Sequence, residues 1–373
     1  MSKTNIPINV KRDLWFAAHG RCEFEGCNKS LDIEGVTMDK CDLSNCAHII
    51  ADSSDGPRGD IKKSEELAKD VNNLMLMCPE CHKYIDHEGV QKFGVARLQK
   101  MKKDHEERIQ MVTGICPNKK SLVVFYGPNI GKDTPLLSRS IASMTIFPEY
   151  YPVDYTPVRI ELKNSQFYDD DEIYWQVEPK QLERACQQKV MERIHQGEVE
   201  HVSLFAFAPQ PLLVKLGTIL NDKYSIEVYQ KHREPDTWSW QNDQIDNPFK
   251  CLSPQDISKE PALVFAISAN AILERVTRLL GDTASIWVLT CETPGNDMLQ
   301  SKNQIVEFRK TVRYLLDEIK SKTTSKSLRI YTAMPVACAV ELGRVRMPKA
   351  DMEWILFNYQ NDINNDIEAI RIN

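Results

Sequence analysis

Short apolar segments recur through the last two thirds of the chain and alternate with amphipathic stretches. Each apolar segment is six to eight residues long, and the stretches at 179–196 and 303–321 have the spacing of helices. Strands that alternate with helices form βα units and a largely parallel sheet. The pattern therefore predicts an α/β domain whose strands include SLVVFY, HVSLFAFA, SIEVYQ, ALVFAIS, SIWVLT and LRIYTA.

Two stretches of this region resemble each other. VSLFAFAPQPLLVKLG (202–217) and LRIYTAMPVACAVELG (328–343) each combine a strand, a turn with proline and a helix that ends in Leu-Gly. A further strand carrying Tyr-Gln follows each of them. We expect two copies of one α/β unit, at about 160–260 and 261–373, packed about a pseudo-two-fold axis. Such packing would create a cleft at the carboxyl ends of the strands, where helix N-termini can bind phosphate.

The cysteines set the N-terminal part of the chain apart. Five of the eleven lie between Cys22 and Cys78, and Cys81 and Cys116 follow. We therefore expect a small metal-stapled domain over residues 1–115, a linker over 116–125 and the α/β domain over 126–373.

Four of these cysteines form two closely spaced pairs, Cys22-x4-Cys27 and Cys78-x2-Cys81. Two such knuckles supply the four thiolates of a tetrahedral structural Zn²⁺ site, which stabilises domains that lack a large core. Both pairs lie among polar and turn residues, which disfavours four buried free thiols. On spacing alone, Cys41 and Cys46 are alternative ligands.

Composition bears on compartment and membrane association. Hydrophobic residues make up 42% and charged residues 27%, as in soluble globular proteins. No apolar run approaches the roughly 18 to 20 residues that span a bilayer, and the start, MSKTNIPINVKRDLW, has no apolar signal core. We expect a cytoplasmic protein with reduced cysteines and no membrane partner.

The net charge of −6 is unevenly distributed. Residues 1–120 contain 19 Lys plus Arg and 19 Asp plus Glu, so the whole negative excess lies in the remainder. A nucleic-acid-binding protein usually shows a basic face. Here 58–63 and 97–108 could each supply a local basic stripe, although a solvated helix face explains the second equally well.

The residues between the cysteine pairs carry the candidate chemistry. NCAHII contains His48, VNNLMLMC contains Asn73, and CHKYID contains His82 with Asp86 one helical turn later. Hydrolysis of a phosphodiester needs a base that activates water and a cation that stabilises the developing negative charge. The order His, Asn, His, bracketed by cysteine pairs, resembles the HNH endonucleases of the ββα-metal class, over about residues 10–110.

This resemblance implies a role for each residue. His48 corresponds to the general base, and Asn73 to an asparagine that orients the loop or that histidine. His82 corresponds to a ligand of the catalytic Mg²⁺ or other divalent cation, with Asp86 as a second ligand.

The sequence departs from the family at one position. Many members carry an acidic residue directly before the first histidine as a metal ligand, and Ala47 stands there in this chain. Asp86, His87 or an acid of ADSSD (51–55) would then substitute, or water would complete the metal shell.

The paired α/β units resemble the SAVED domain, a fusion of two CARF-like (Rossmann-like) sensor units, over about residues 120–373. The resemblance rests on FAFAPQPLLVKLG, YQKHREPDTWSW and YTAMPVACAVELGR. An HNH nuclease fused to SAVED resembles an effector of the CBASS bacterial antiphage systems. In those systems a partner synthase makes a cyclic di- or oligonucleotide on infection, and the effector degrades double-stranded DNA. The resemblance implies a cyclic di- or trinucleotide activator.

The chemistry of such a ligand points to a small set of residues. Phosphates suit helix N-termini with Lys or Arg, and bases suit aromatic stacking. The candidates at or just after the predicted strand ends are Lys215, Arg233, Trp238, Ser268 and Arg344. A Trp at such a place is more often a core residue, and Arg344 more often a helix cap.

The charge count also suggests how activation works. A nuclease domain with no net positive charge binds duplex weakly as a monomer, because affinity depends on the phosphates neutralised. We expect the ligand to drive homo-oligomerisation, which brings several nuclease domains onto one duplex.

Two other functions remain open. A constitutive restriction-type endonuclease would cleave without any small molecule and would need a basic groove in residues 120–373, where the acidic balance disfavours one. A non-enzymatic zinc-finger regulator that senses a metabolite would function without His48.

Overall fold

The structure is a computed structural model of the 373-residue chain, and it describes residues 4–33, 39–130, 137–161, 167–242, 247–360 and 362–373. The chain divides into two compact units, Met1–Cys116 (the N-terminal unit) and Pro117–Asn373 (the C-terminal unit). Within the described ranges, no helix combines the length and the apolar character needed to cross a membrane.

The N-terminal unit is built around a two-stranded antiparallel sheet and one short helix beside it. Its described elements are α1 (Ile8–Ala18), β1 (Asn45–His48), α2 (Lys63–Leu67), β2 (Leu74–Met77), α3 (Pro79–Lys83) and α4 (Val95–Thr113). In the antiparallel pair, His48 lies opposite Leu74. A π-helical turn, Tyr84–Glu88, continues α3. The strands and α3 thus have the order of a ββα motif.

The core of the N-terminal unit is small. One hydrophobic cluster joins Leu14 of α1, Met75 of β2 and Leu98 of α4. Every residue of β2 is buried, which explains why its sequence, LMLM, is apolar throughout and does not alternate.

The C-terminal unit contains two mainly parallel sheets with helices between and around them. Its elements in chain order are β3 (Lys120–Tyr126), α5 (Arg139–Ile146), β4 (Tyr151–Pro152), β5 (Val158–Arg159), α6 (Glu172–Cys186), α7 (Glu192–His195), β6 (Val202–Ala206), α8 (Gln210–Leu220), β7 (Ile226–Tyr229), β8 (Phe249–Leu252), β9 (Glu260–Ala266), α9 (Ala271–Leu280), β10 (Ala284–Cys291), α10 (Lys302–Lys322), β11 (Ser327–Ala333), α11 (Val336–Arg344), β12 (Glu353–Gln360) and β13 (Asn365–Ile372).

The first sheet has the strand order β4-β3-β6-β7, with β5 also paired to β3, and all its pairings are parallel. The second sheet has the order β13-β12-β11-β9-β10-β8, in which β8 and β13 run antiparallel to their neighbours. The six apolar segments predicted as strands all lie in strands, and the α/β expectation for this region is confirmed.

The expected boundaries need correction. Residues 120–126 form β3, which is almost wholly buried and pairs with β5 and β6, so this part of the linker expected at 116–125 belongs to the sheet. SLVVFY has no polar alternation because both faces of the strand are covered. The first α/β unit accordingly begins at β3 and not near residue 160.

The two helices of the sequence repeat cross each other inside the core. α8 and α11 contact at Gly217 and Gly343, the glycines that occupy matching places in the repeat. A Cβ on Gly217 would overlap the carbonyl oxygen of Val340, and a Cβ on Gly343 would overlap that of Val214. Since each valine lies three residues before its glycine, the contact is reciprocal, as a pseudo-two-fold axis requires.

Candidate functional site

A cavity of about 400 Å³ lies beside β1 and α3 in the N-terminal unit. Its lining includes His48 from β1, His82 from α3 and Asp86 from the turn after α3. Three of the residues singled out in the sequence are therefore brought to one place.

His48 is buried, and one hydrogen bond fixes its tautomer. Its Nε2 lies 2.9 Å from the carbonyl oxygen of Ala68. A carbonyl oxygen only accepts, so in the neutral ring Nε2 carries the hydrogen and Nδ1 carries the lone pair. Nδ1 is thus the atom that can take up a proton.

Asn73 acts through the backbone around His48. Its Oδ1 accepts from the backbone N–H of Ile50 at 2.9 Å, and its Nδ2 donates to the carbonyl oxygens of Ile50 and Leu67 at 2.9 and 3.2 Å. Leu67 directly precedes Ala68, whose carbonyl holds the His48 ring. The amide therefore fixes both the chain that follows His48 and the acceptor that orients it.

His82 and Asp86 lie four residues apart, with Nε2 of the histidine 3.1 Å from Oδ2 of the carboxylate. Burial by itself raises the pKa of Asp86, but hydrogen bonds from His82 and Arg58 outweigh it and hold the pKa below its ordinary value. Donors at right angles on an octahedral cation with bonds of about 2.1 Å would be about 3.0 Å apart. The observed spacing fits two neighbouring ligands of one hard divalent cation.

Two other potential donors line the cavity, but among the described residues neither joins His82 and Asp86 in a group of ligand atoms within 4.8 Å of one another. Ala47 is buried in β1 opposite Met75. Asp52, the first acid of ADSSD, and His87 line the cavity together with Asp86. Asp52 also accepts a hydrogen bond from the backbone N–H of Thr4 at 3.0 Å.

Arg58 is a site residue that sequence reasoning missed. On sequence alone RGDIKK could supply a local basic stripe, but the Arg58 side chain is only 5% exposed and lines the cavity. It donates to Oδ1 of Asp86 at 2.6 Å. Spacing could not reveal this inward direction, although an arginine between Pro57 and Gly59 does indicate a tight turn.

The sulfur atoms of Cys22, Cys27, Cys78 and Cys81 lie within 4.8 Å of one another. Bonds of about 2.3 Å to a tetrahedral Zn²⁺ would place the sulfurs about 3.8 Å apart, so this donor set fits the ion. Burial raises the pKa of the Cys22 thiol to about 12, so a cation that stabilises the thiolates would bind with release of protons.

Cys41 and Cys46 are not members of this cluster, which among the described residues comprises the four cysteines of the two short pairs. The structure thus favours the ligand set given by the x4 and x2 spacings over the alternative.

In the C-terminal unit, polar side chains join the two repeats where their strands end. Nε2 of Gln210, at the start of α8, donates to the carbonyl oxygen of Met334 at 2.8 Å. Oε1 of Gln230, after β7, accepts from the backbone N–H of Ala337 at 3.1 Å. Among the described residues, Oε1 of Gln210 and both ring nitrogens of His232 are buried without a hydrogen-bond partner. A buried polar atom without a hydrogen-bond partner destabilises the fold, so these atoms mark a place where a ligand could supply the missing hydrogen bonds.

Two of the predicted ligand residues have structural roles instead. Arg344 is buried, and its guanidinium donates to Glu341 and to the carbonyl oxygens of three residues, Asn221, Tyr224 and Ile226. Trp238 is buried against the Phe205 ring, with centroids 5.3 Å apart. The expectation that Arg344 and Trp238 face a ligand is corrected, because neither presents its polar or aromatic surface to solvent.

The other three predicted residues are more accessible. Arg233 is exposed after β7, and Ser268 is half-buried after β9, so both lie at carboxyl ends of strands. Lys215 lies further along α8, where its Nζ is 3.6 Å from Glu183.

Comparison with protein families decides what the C-terminal unit is. The family model described as "SMODS-associated and fused to various effectors sensor domain", or SAVED, matches residues 182–372, more than half of the chain. The chain belongs to the SAVED family. The match begins within α6, while β3 pairs with the matched strand β6, so the sheet that contains β6 also includes residues that precede the matched region.

Comparison with solved structures finds SAVED/CARF-domain receptors. The Acinetobacter baumannii Cap4 SAVED/CARF-domain containing receptor with the cyclic trinucleotide 2'3'3'-cAAA is 12% identical, with a TM-score of 0.43 over 84% of this chain and 67% of that chain. The Moraxella osloensis Cap4 SAVED/CARF-domain containing receptor is also 12% identical, with a TM-score of 0.37 over 79% and 60%. No curated protein matches the sequence. Likenesses this distant carry no argument about what the SAVED unit of this chain binds.

Proposed function

We propose that the chain is a cyclic-oligonucleotide-activated, metal-dependent DNA endonuclease of bacterial antiphage (CBASS) defence. One observation carries the proposal. His48 lines the same cavity as His82 and Asp86, in a chain whose other unit belongs to a sensor family fused to effectors. A hydrolytic site and a sensor domain in one chain are the two parts that a ligand-controlled effector needs.

His48 is the general base of the proposed reaction. Its Nδ1 takes the proton of the attacking water, while Nε2 keeps its hydrogen on the carbonyl of Ala68. That carbonyl also stabilises the positive charge that develops on the ring, and Asn73 keeps it in place through Leu67.

Nε2 of His82 and Oδ2 of Asp86 would hold the catalytic divalent cation. A bound cation of this kind supplies electrostatic stabilisation of the phosphate and of the leaving oxygen. Asp52 and His87 line the same cavity but do not join this pair within 4.8 Å, so water would complete the shell of such an ion.

The four clustered cysteines would hold a structural Zn²⁺ that fixes α3. Cys78 is the N-cap residue of this helix and Cys81 lies within it, directly before His82. A metal bound there fixes the backbone from which His82 projects.

The SAVED unit is the proposed receptor for a cyclic di- or trinucleotide. Arg233 and Ser268 lie after the carboxyl ends of strands, where a phosphate can approach. Gln210 lies at the start of α8, and its buried Oε1 can accept a hydrogen bond from a ligand. Ligand binding would drive homo-oligomerisation, because the N-terminal unit lacks the net positive charge needed to hold duplex DNA alone.

The experiment that tests the catalytic assignment is cleavage of supercoiled plasmid with Mg²⁺ and an activating cyclic nucleotide by His48→Ala. We expect cleavage to fall at least about 100-fold, since positioned general bases contribute 10²- to 10⁴-fold. His19→Asn, an exposed histidine of the same unit, is the matched control and should cleave like wild type. Full cleavage by a correctly folded His48→Ala would refute the assignment.

A further inference from the structure

The Arg58 guanidinium contacts both halves of the candidate active site. Its Nε donates to the carbonyl oxygen of Ile49 at 2.8 Å, and its NH1 to that of Ile85 at 2.8 Å. Its NH2 donates to the carbonyl oxygen of His48 at 3.3 Å and to Asp86 at 2.6 Å. One side chain thus ties the end of β1, which carries the proposed base, to the turn that carries the proposed metal ligand.

These contacts leave little capacity for binding DNA. A guanidinium has five N–H donors, and four of those of Arg58 are engaged by the protein. The side chain is also 5% exposed. An arginine that binds a phosphate needs a free pair of donors on an open surface. The geometry therefore favours an internal role over a phosphate contact.

The backbone around Arg58 holds the side chain in this direction. Arg58 has φ 58°, a left-handed conformation that is uncommon outside glycine. A Cβ on the next residue, Gly59, would overlap the carbonyl oxygen of Ser54. The loop is therefore closely packed on itself, and Arg58 enters the cavity wall from a fixed turn.

We propose that Arg58 is a positioning residue for the active site. Its guanidinium binds Oδ1 of Asp86, so that Oδ2 of the same carboxylate points toward His82 and is the second metal-binding atom. The guanidinium also binds the carbonyl oxygen of His48 and thereby fixes the distance between the His48 backbone and Asp86. The inference rests on the proposed function and adds a determinant of metal affinity that the His, Asn and His pattern does not contain.

The test measures Mn²⁺ binding by electron paramagnetic resonance on the full-length zinc-containing protein, for wild type, Arg58→Lys and Arg58→Ala. Mn²⁺ prefers oxygen and imidazole donors over thiolates. We expect Kd for Mn²⁺ to rise about 10- to 100-fold in both variants, as when residues that orient metal ligands are removed. Lysine keeps the charge but cannot reach four acceptors with one ammonium group. Arg12→Lys, an exposed arginine of α1, is the matched control and should bind like wild type.

Coupling to Asp86 separates positioning from a general loss of structure. If Arg58 acts through the carboxylate, Arg58→Lys with Asp86→Asn should bind Mn²⁺ no more weakly than Asp86→Asn alone. Zinc content and the thermal midpoint show whether a variant is folded. If Arg58→Ala is unfolded, the test uses Arg58→Lys alone, because it is the smaller change.

Three results would overturn the inference. The first is a folded Arg58→Lys variant that binds Mn²⁺ with wild-type affinity. The second is a double variant, Arg58→Lys with Asp86→Asn, in which the two losses of Mn²⁺ affinity add. The third is an Arg58 variant with unchanged Mn²⁺ affinity and a raised KM for DNA. The last result would make Arg58 a DNA contact. Failure of wild type itself to bind Mn²⁺ would instead count against the proposed metal-dependent function.

Discussion

Cys81 and His82 are neighbours on α3, so the cysteine cluster and the candidate active-site cavity share one short helix. We predict that Cys81→Ser lowers bound zinc from about one ion per chain to near zero and lowers the thermal midpoint, because a structural zinc stabilises its fold directly. Zinc analysis by mass spectrometry with a melting curve measures both. Cys116→Ser, an exposed cysteine, should change neither.

The same measurement distinguishes the two possible ligand sets. Retention of zinc by Cys81→Ser, with loss in Cys46→Ser, would show that the cluster is not the metal site.

Glu178 of α6 makes the stability of the C-terminal unit depend on pH. Burial, and then the nearby Glu161 carboxylate, raise its pKa from 4.5 to about 7. Between these two values the unfolded chain releases a proton that the folded chain retains, so stability falls as pH rises through this range. We predict that Glu178 makes the urea midpoint decrease between pH 5 and pH 7, while His201, whose pKa burial lowers from 6.5 to about 4, acts in the opposite direction in the lower part of this range.

The Glu178→Gln variant should reduce that decrease, because glutamine has no proton to lose. Glu172→Gln, exposed at the start of the same helix, is the control and should keep the wild-type slope. An identical slope in Glu178→Gln would show that another group causes the pH dependence.

At the residue scale, spacing predicted chemistry that acts over a few positions. The two cysteine pairs and the four-residue step from His82 to Asp86 could be predicted directly, because a tight turn or a single helical turn keeps residues a few positions apart close together. Arg58 and Arg344 could not be assigned, since the partners of a long side chain depend on which distant backbone carbonyls the fold brings near it. The buried position of Trp238 was not predicted for the same reason, because its neighbour Phe205 lies on β6, far from it in the sequence.

At the element scale, the crossing of α8 and α11 is the feature that holds the two α/β repeats together. We predict that Gly343→Ala destabilises the protein by about 1 to 3 kcal/mol, because the new methyl group overlaps the Val214 carbonyl and separates the helices. Urea unfolding measures the loss.

The matched control for this substitution is Gly295→Ala, where a Cβ would meet nothing within 4 Å. It should leave the urea midpoint close to that of wild type. Equal effects of the two substitutions would contradict the close helix crossing.

The sequence predicted the repeat but not its full extent. Leu-Gly at the same place in both copies marked the helices, and the structure brings these glycines together. SLVVFY is predicted as a strand, but the linker boundary at residue 125 cuts through it, because its partner β6 lies about 80 residues later and local patterns do not specify such pairings.

At the scale of the whole molecule, the proposed function joins a sensor to an enzyme in one chain. SAVED membership rests on the C-terminal unit, and the proposed hydrolytic site lies in the N-terminal unit. A restriction-type enzyme would need no small molecule, and a zinc-finger regulator would need no base at His48. The requirement for a ligand separates these three functions most directly.

That requirement is measured by plasmid cleavage with purified protein and Mg²⁺, in the absence and presence of a panel of cyclic di- and trinucleotides. The account predicts intact plasmid without a ligand and degradation with at least one member of the panel, lost in His48→Ala. Equal cleavage with and without every cyclic nucleotide would contradict it and favour a constitutive endonuclease.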